Sequence, residues 1–146
     1  MNQEKKDNKI NRLISLFTNG ELEECKREAR KTVKIYPKEP FLFNLLGVAH
    51  AGTGLFEEAV SYYKKAIKLN PEYFEVYNNM GVAYTHWKKP DLAAESLRQA
   101  IKLNSNYAEA FNNLGNSQKE LTDYEDAIIS YEKAIKLDPS YIDALC

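Results

Sequence analysis

Residues 66–70 read Ala66-Ile67-Lys68-Leu69-Asn70, residues 100–104 repeat that string, and residues 134–138 give Ala-Ile-Lys-Leu-Asp. Both steps are 34 residues. Gly47, Gly81 and Gly115 keep the same step, as do Ala59, Ala93 and Ala127, and Tyr73, Tyr107 and Tyr141. Pro71 and Pro139 lie two periods apart, with Ser105 at the place between them. So many coincidences at one spacing identify an internal repeat, and a period of this length belongs to stacked supersecondary units.

Each period divides into two helical patterns. Phe43, Leu46, Gly47 and His50 recur at three- and four-residue spacing, which marks one face of a helix over 40–52. Gly52 and Gly54 interrupt it. A second pattern runs from Phe56 through Ala59, Val60, Tyr63, Ala66, Ile67 and Leu69 and stops at Asn70-Pro71, because the residue before proline avoids the helical region. The later periods predict helices near 74–87, 91–103, 108–120 and 124–137. No stretch alternates with period two, and connections of two to five residues force neighbouring helices antiparallel. Mid-helix glycine costs about 1 kcal/mol against alanine. Its recurrence at 47, 81 and 115 therefore predicts a packing reason, a bulky neighbour or backbone filling the space, with Ala59, Ala93 and Ala127 of the following helices as partners in the close crossing. Phe43, Tyr77 and Phe111, with Tyr63, Leu97 and Tyr131, are expected to fill the core.

The pattern aromatic–x–x–Leu/Met–Gly, followed at fixed offsets by Ala, Tyr/Leu, Ala and Pro, resembles the tetratricopeptide repeat (TPR) family. Residues 40–73, 74–107 and 108–141 carry it. Residues 6–39 carry a weaker copy closed by Pro37, with Leu13 in the glycine place and Cys25 in the alanine place, and residues 1–39 read as an N-terminal capping hairpin. The tail 142–146 reads as the start of a further helix cut short. The resemblance implies an all-α fold, a right-handed superhelical solenoid of antiparallel helix hairpins. It also implies a concave groove, lined by the first helix of each repeat, that takes a peptide.

Positions opposite the core stripe then predict the lining. They are Phe41, Asn44, Leu45 and Val48 in the first full repeat, and Glu75, Asn78, Asn79, Val82 and His86 in the second. In the third they are Asn112, Asn113, Asn116 and Lys119. An asparagine amide offers two donors and an acceptor, suited to both polar groups of an extended peptide backbone. Asn79 and Asn113 resemble the asparagine ladder in the TPR half of O-linked N-acetylglucosamine transferases, and are expected to hold main chain while the Phe41–Val48 patch takes an apolar side chain. The cochaperone mode, in which groove lysines and arginines grip a chaperone's C-terminal carboxylates, is not expected. Asn44, Val48 and Glu109 stand in the relevant places, Lys119 is the one well-placed cation, and Glu75 and Glu109 would repel an acidic tail.

Composition narrows the function. The chain has 146 residues and net charge −1, which argues against a large electrostatic footprint for nucleic acid or anionic lipid. No apolar run approaches the 18 residues of a membrane span and no signal peptide opens the chain, so a cytoplasmic protein is expected. Cys25 and Cys146 form no disulfide framework. Neither His50 nor His86 has partners at metal-ligand spacing, Ala51-Gly52-Thr53-Gly54 lacks the lysine of a phosphate loop, and the acidic pairs Glu57-Glu58 and Glu125-Asp126 fall where helix N-termini favour negative charge. No catalytic constellation, metal or cofactor is expected. Residues 1–39 carry ten Lys/Arg against seven Asp/Glu, and residues 108–146 carry three against eight. That polarity suggests self-association through the ends. The expected function is a non-catalytic module binding a peptide or protein segment. The alternatives are the targeting arm of a larger glycosyltransferase or sulfotransferase, or a self-assembling scaffold.

Overall fold

The computed structural model describes residues 2–145, with side chains through residue 142; Met1 and Cys146 lie outside the described residues. The chain divides into two units, Met1–Pro71 and Glu72–Cys146. Every regular element among the described residues is a helix.

The first unit holds α1 (Asn2–Thr18), α2 (Leu22–Ile35), α3 (Pro40–Gly52) and α4 (Phe56–Leu69). The second holds α5 (Phe74–His86), α6 (Pro90–Leu103), α7 (Ala108–Glu120) and α8 (Tyr124–Leu137), then a 3-10 stretch, Pro139–Leu145. Each of the six helices predicted over 40–137 is found within one residue at either end. The N-terminal hairpin begins earlier than the repeat pattern suggests, because α1 extends back to Asn2.

Hairpins form in sequence order, α1 with α2 and α3 with α4 in the first unit, α5 with α6 and α7 with α8 in the second. Their turns share a backbone device. Gly20, Gly54, Lys88 and Thr122 all have positive φ, at 78°, 80°, 63° and 64°. They stand 34 residues apart, so one place per hairpin reverses the chain through the left-handed region, and α1–α2 obeys the same rule as the rest. Glycine enters that region freely, whereas a β-branched residue such as threonine is strained there.

The predicted crossing is present, and a bulky neighbour fills the space at each glycine. A Cβ on Gly47 would lie 2.3 Å from Tyr63 Cε1, one on Gly81 2.5 Å from Leu97 Cγ, and one on Gly115 2.7 Å from Tyr131 Cδ1. The glycines therefore make room for the large residue of the next helix; Ala59, Ala93 and Ala127 are buried beside it. Phe43, Tyr77 and Phe111 are half-buried rather than central.

The first unit's core joins Leu13 and Leu16 of α1, Cys25 and Ala29 of α2, and Leu42, Leu45, Leu46 and Ala49 of α3. Cys25 is fully buried, its thiol donating to the Leu13 carbonyl at 3.6 Å, and burial pushes its pKa up. His50 is also core: Nδ1–H donates to the Leu46 carbonyl at 2.7 Å, its ring lies 4.9 Å from that of Tyr62, and desolvation holds its pKa below the ordinary value. In the second unit Ala94, Leu97, Ala100, Ala110 and Leu114 form the cluster, with Tyr77 and Tyr107 packed against it.

Candidate functional site

The first helices of the second unit's two hairpins, α5 and α7, touch directly. Polar pairs join them. Asn113 Nδ2–H donates to Asn78 Oδ1 at 3.0 Å, and Thr85 Oγ1 lies 3.5 Å from Ser117 Oγ. Asn78 and Ser117 are fully buried. Thr85 also donates back to the Gly81 carbonyl at 3.0 Å and Ser117 to the Asn113 carbonyl at 3.3 Å, which fixes both hydroxyls on their own helices.

Asn78 is thus a correction to the sequence reading. It does not line a surface but sits beneath one, clamping Asn113 from inside. Leu45 is corrected likewise, because it belongs to the core cluster of the first unit. One helix's periodicity shows the face turned to its hairpin partner; it does not show the strip covered by the preceding or following first helix.

The remaining expected residues sit nearer solvent. In the second unit Asn79, Val82, Asn112 and Asn113 are half-buried, and Glu75, His86, Asn116 and Lys119 are exposed. In the first unit Phe41, Asn44 and Val48 are half-buried, and Phe41 and Val48 pack against the core. Asn116 is held from behind: Tyr131 Oη–H donates to its Oδ1 at 2.6 Å, leaving its NH2 as the group able to donate outward. On the far side of α7, Ser130 donates to Gln118 Oε1 at 2.6 Å.

Two amide atoms of this region, Asn78 Nδ2 and Asn112 Oδ1, are buried with no hydrogen-bond partner among the described residues. Such an atom costs about 1–3 kcal/mol, and proteins keep few of them. A surface of fixed amides with Glu75 and Glu109 exposed beside it suits a neutral polar chain better than an anion.

The described residues contain no group of three or more His, Cys, Asp or Glu placed to hold a metal ion, and no helix is long and apolar enough to cross a membrane. Sequence reasoning did not single out Lys26, buried on α2, whose ammonium donates to Thr53 Oγ1 at 3.0 Å and pairs with Glu23 at 2.7 Å. Its position one residue after Cys25 in the core stripe was the available signal.

Residues 74–107 and 108–141 match the sequence profile described as "Tetratricopeptide repeat", and residues 53–85 match one described as "TPR repeat". No curated protein matches the chain. Among solved structures, a crystal structure of MamA is 29% identical over 89% of this chain and 76% of its own, with TM-score 0.82. MamA 41-end from Desulfovibrio magneticus RS-1 is 25% identical over 96% and 79%, with TM-score 0.85. The first TPR of Spaghetti (RPAP3), bound to the HSP90 peptide SRMEEVD, is 25% identical over 73% and 85%, with TM-score 0.71.

Proposed function

The chain belongs to the tetratricopeptide repeat family, and on that premise we propose that it is a non-catalytic module whose first-helix faces hold a peptide or protein segment. One observation carries the reading: the Asn113 amide, half-buried on α7, is pinned by fully buried Asn78 of α5. A polar side chain fixed before the ligand arrives loses little entropy on binding, so it adds affinity that a mobile amide would not. Asn113 keeps one N–H and its carbonyl oxygen for the ligand, and Asn79 stands at the matching repeat position one period earlier. Together they are to hold backbone groups of an extended segment. In the first unit Phe41 and Val48 offer an apolar surface for a side chain.

The acidic HSP90 peptide belongs to the RPAP3 structure. In this chain exposed Glu75 and Glu109 argue for a different ligand, one without an anionic terminus at that face. The test is a peptide-library capture with the wild type and with Asn79→Ala plus Asn113→Ala. Loss of most ligands from the double variant supports the reading, and equal recovery of every ligand moves the site elsewhere.

A second reading, self-association, is favoured by one observation. Tyr124, Ile128 and Ile129 of α8 are all exposed, and Ile129 keeps 63% of its surface in solvent. An apolar strip on one helix is a docking surface or an aggregation liability. Sedimentation against concentration, repeated with Ile129→Lys, tests it; a concentration-independent monomer excludes it.

A further inference from the structure

A concavity lined by several cations lies on the first unit. Arg27, Arg30, Lys31 and Lys34 of α2 fall at i, i+3, i+4 and i+7, hence on one side of the helix. With Lys65 and Tyr62 of α4 and Phe43 of α3 they line a shallow cavity of about 380 Å³.

The carboxylates of α2 have ion-pair partners of their own, although Glu23 still attracts Arg30 and Glu28 still attracts Lys31 through space. Glu23 pairs with Lys26, Glu24 with Arg27, and Glu28 with Arg12 at 3.0 Å. Among the described residues no carboxylate forms an ion pair with Arg30, Lys31, Lys34 or Lys65. The Lys65 ammonium lies instead over two rings, 5.9 Å from the centroid of Phe43 and 5.3 Å from that of Tyr62. The rings hold that cation without neutralising it. Four like charges gathered at one cavity repel each other, and an anion relieves that repulsion.

The geometry points to a second binding site, for a peptide segment bearing acidic residues in extended conformation. Arg30 and Lys34 are separated by about 6 Å along the helix axis. Alternate side chains of an extended chain, which share a face, are about 6.6–6.8 Å apart. Acidic residues at alternate positions therefore meet successive cations of the row, and arginine supplies a fork matched to a carboxylate. A row this short favours a few peptide residues over a nucleic-acid strand, which binds through a long track of phosphates. A stacked nucleobase would compete with Lys65, whose ammonium lies over the Phe43 and Tyr62 rings. This site uses α2 and α4 together with Phe43 and is independent of the proposed asparagine contacts.

Fluorescence anisotropy of the full chain with a labelled Gly-Glu-Ser-Glu-Ser-Glu-Gly peptide, at low and high salt, tests the site. Binding is expected at low salt, falling as salt screens the charges, and a glutamine-for-glutamate peptide should not bind. Arg30→Ser plus Lys34→Ser, both exposed, should weaken binding about fivefold or more. Lys102→Ser plus Lys136→Ser removes the same charge from exposed places on α6 and α8 and should leave affinity unchanged within about twofold. Asn79→Ala plus Asn113→Ala should bind like the wild type, so failure of this site and failure of the first-helix reading are separable. The proposal is overturned by absence of binding up to millimolar protein, by equal binding of the glutamine peptide, or by equal loss in both lysine/arginine pairs. Tighter binding of an RNA oligonucleotide or of phosphatidylserine vesicles through Arg30 and Lys34 also overturns the peptide assignment.

Discussion

Gly81→Ala is the smallest perturbation that interrogates how a hairpin packs. The new Cβ would sit 2.5 Å from Leu97 Cγ, 2.8 Å from Cδ2 and 3.2 Å from Cδ1. Carbon atoms rest at about 3.5–4.0 Å, so the overlap approaches 1 Å, and Leu97 is fully buried and the clash falls on its Cγ rather than on the end of its side chain. Overpacking of this kind costs about 1–3 kcal/mol. Replacing a mid-helix glycine by alanine returns about 1 kcal/mol in helix propensity. The balance is a destabilisation of about 0–2 kcal/mol, with each kcal/mol lowering Tm by about 2–4 °C in a chain of this size. Gly81→Leu, which cannot fit without displacing α6, should cost more. The decisive comparison places Gly81→Ala in a Leu97→Ala background, itself weakened by about 2–5 kcal/mol. There the clash is gone and only the propensity gain remains, so the same substitution should become stabilising by about 1 kcal/mol. Thermal and urea unfolding of the four proteins complete the cycle. A Gly81→Ala effect of the same sign and size in both backgrounds would refute the packing argument.

Other expectations follow from single residues. Gly52→Ala meets only Leu22 Cδ1, the end of a flexible side chain, at 2.9 Å, so it should be neutral or stabilising by up to about 1 kcal/mol in the same unfolding assay. Thr122→Gly should relieve a β-branched residue at φ 64° and raise stability by about 0.5–1 kcal/mol, whereas Gly54→Thr at the matching turn should lower it comparably. Burial lowers the folded-state pKa of His50, so the unfolded imidazole takes a proton first as pH falls below about 6.5. Its share of stability is therefore complete above that pH and is lost as pH falls toward the folded value; His50→Gln should flatten the Tm profile across that window.

Much of the fold was legible because it is written several times. The helices of residues 40–137 follow from periodicity and from punctuation at Pro71, Pro90 and Pro139, and the glycines announce a close approach before its partner is known. The shared turn position was also readable, since Gly20 and Gly54 are 34 apart, but Lys88 and Thr122 conceal the rule by adopting the same backbone without glycine. Groove positions were less legible. Asn78 and Asn79 are neighbours of one residue type, yet the first is fully buried against α7 and the second half-exposed. That difference arises from the next first helix, which a single-helix projection does not contain. Leu45 shows the same effect through its cluster with Leu13 and Leu16. The basic row on α2 is visible at helical spacing, but its convergence with Phe43, Tyr62 and Lys65 depends on how three helices pack.

On the proposed function, the amide-bearing face of α5 and α7 holds peptide main chain. Amide chemical-shift mapping by NMR, titrating the isotopically labelled chain with a peptide recovered from the library, tests it most directly. Saturable shifts of the Asn79 and Asn113 side-chain amides and of backbone amides along α5 and α7 are expected, with the backbone shifts abolished for Asn79→Ala plus Asn113→Ala. Shifts confined to α2 and α4, or unchanged in the double variant, would contradict it.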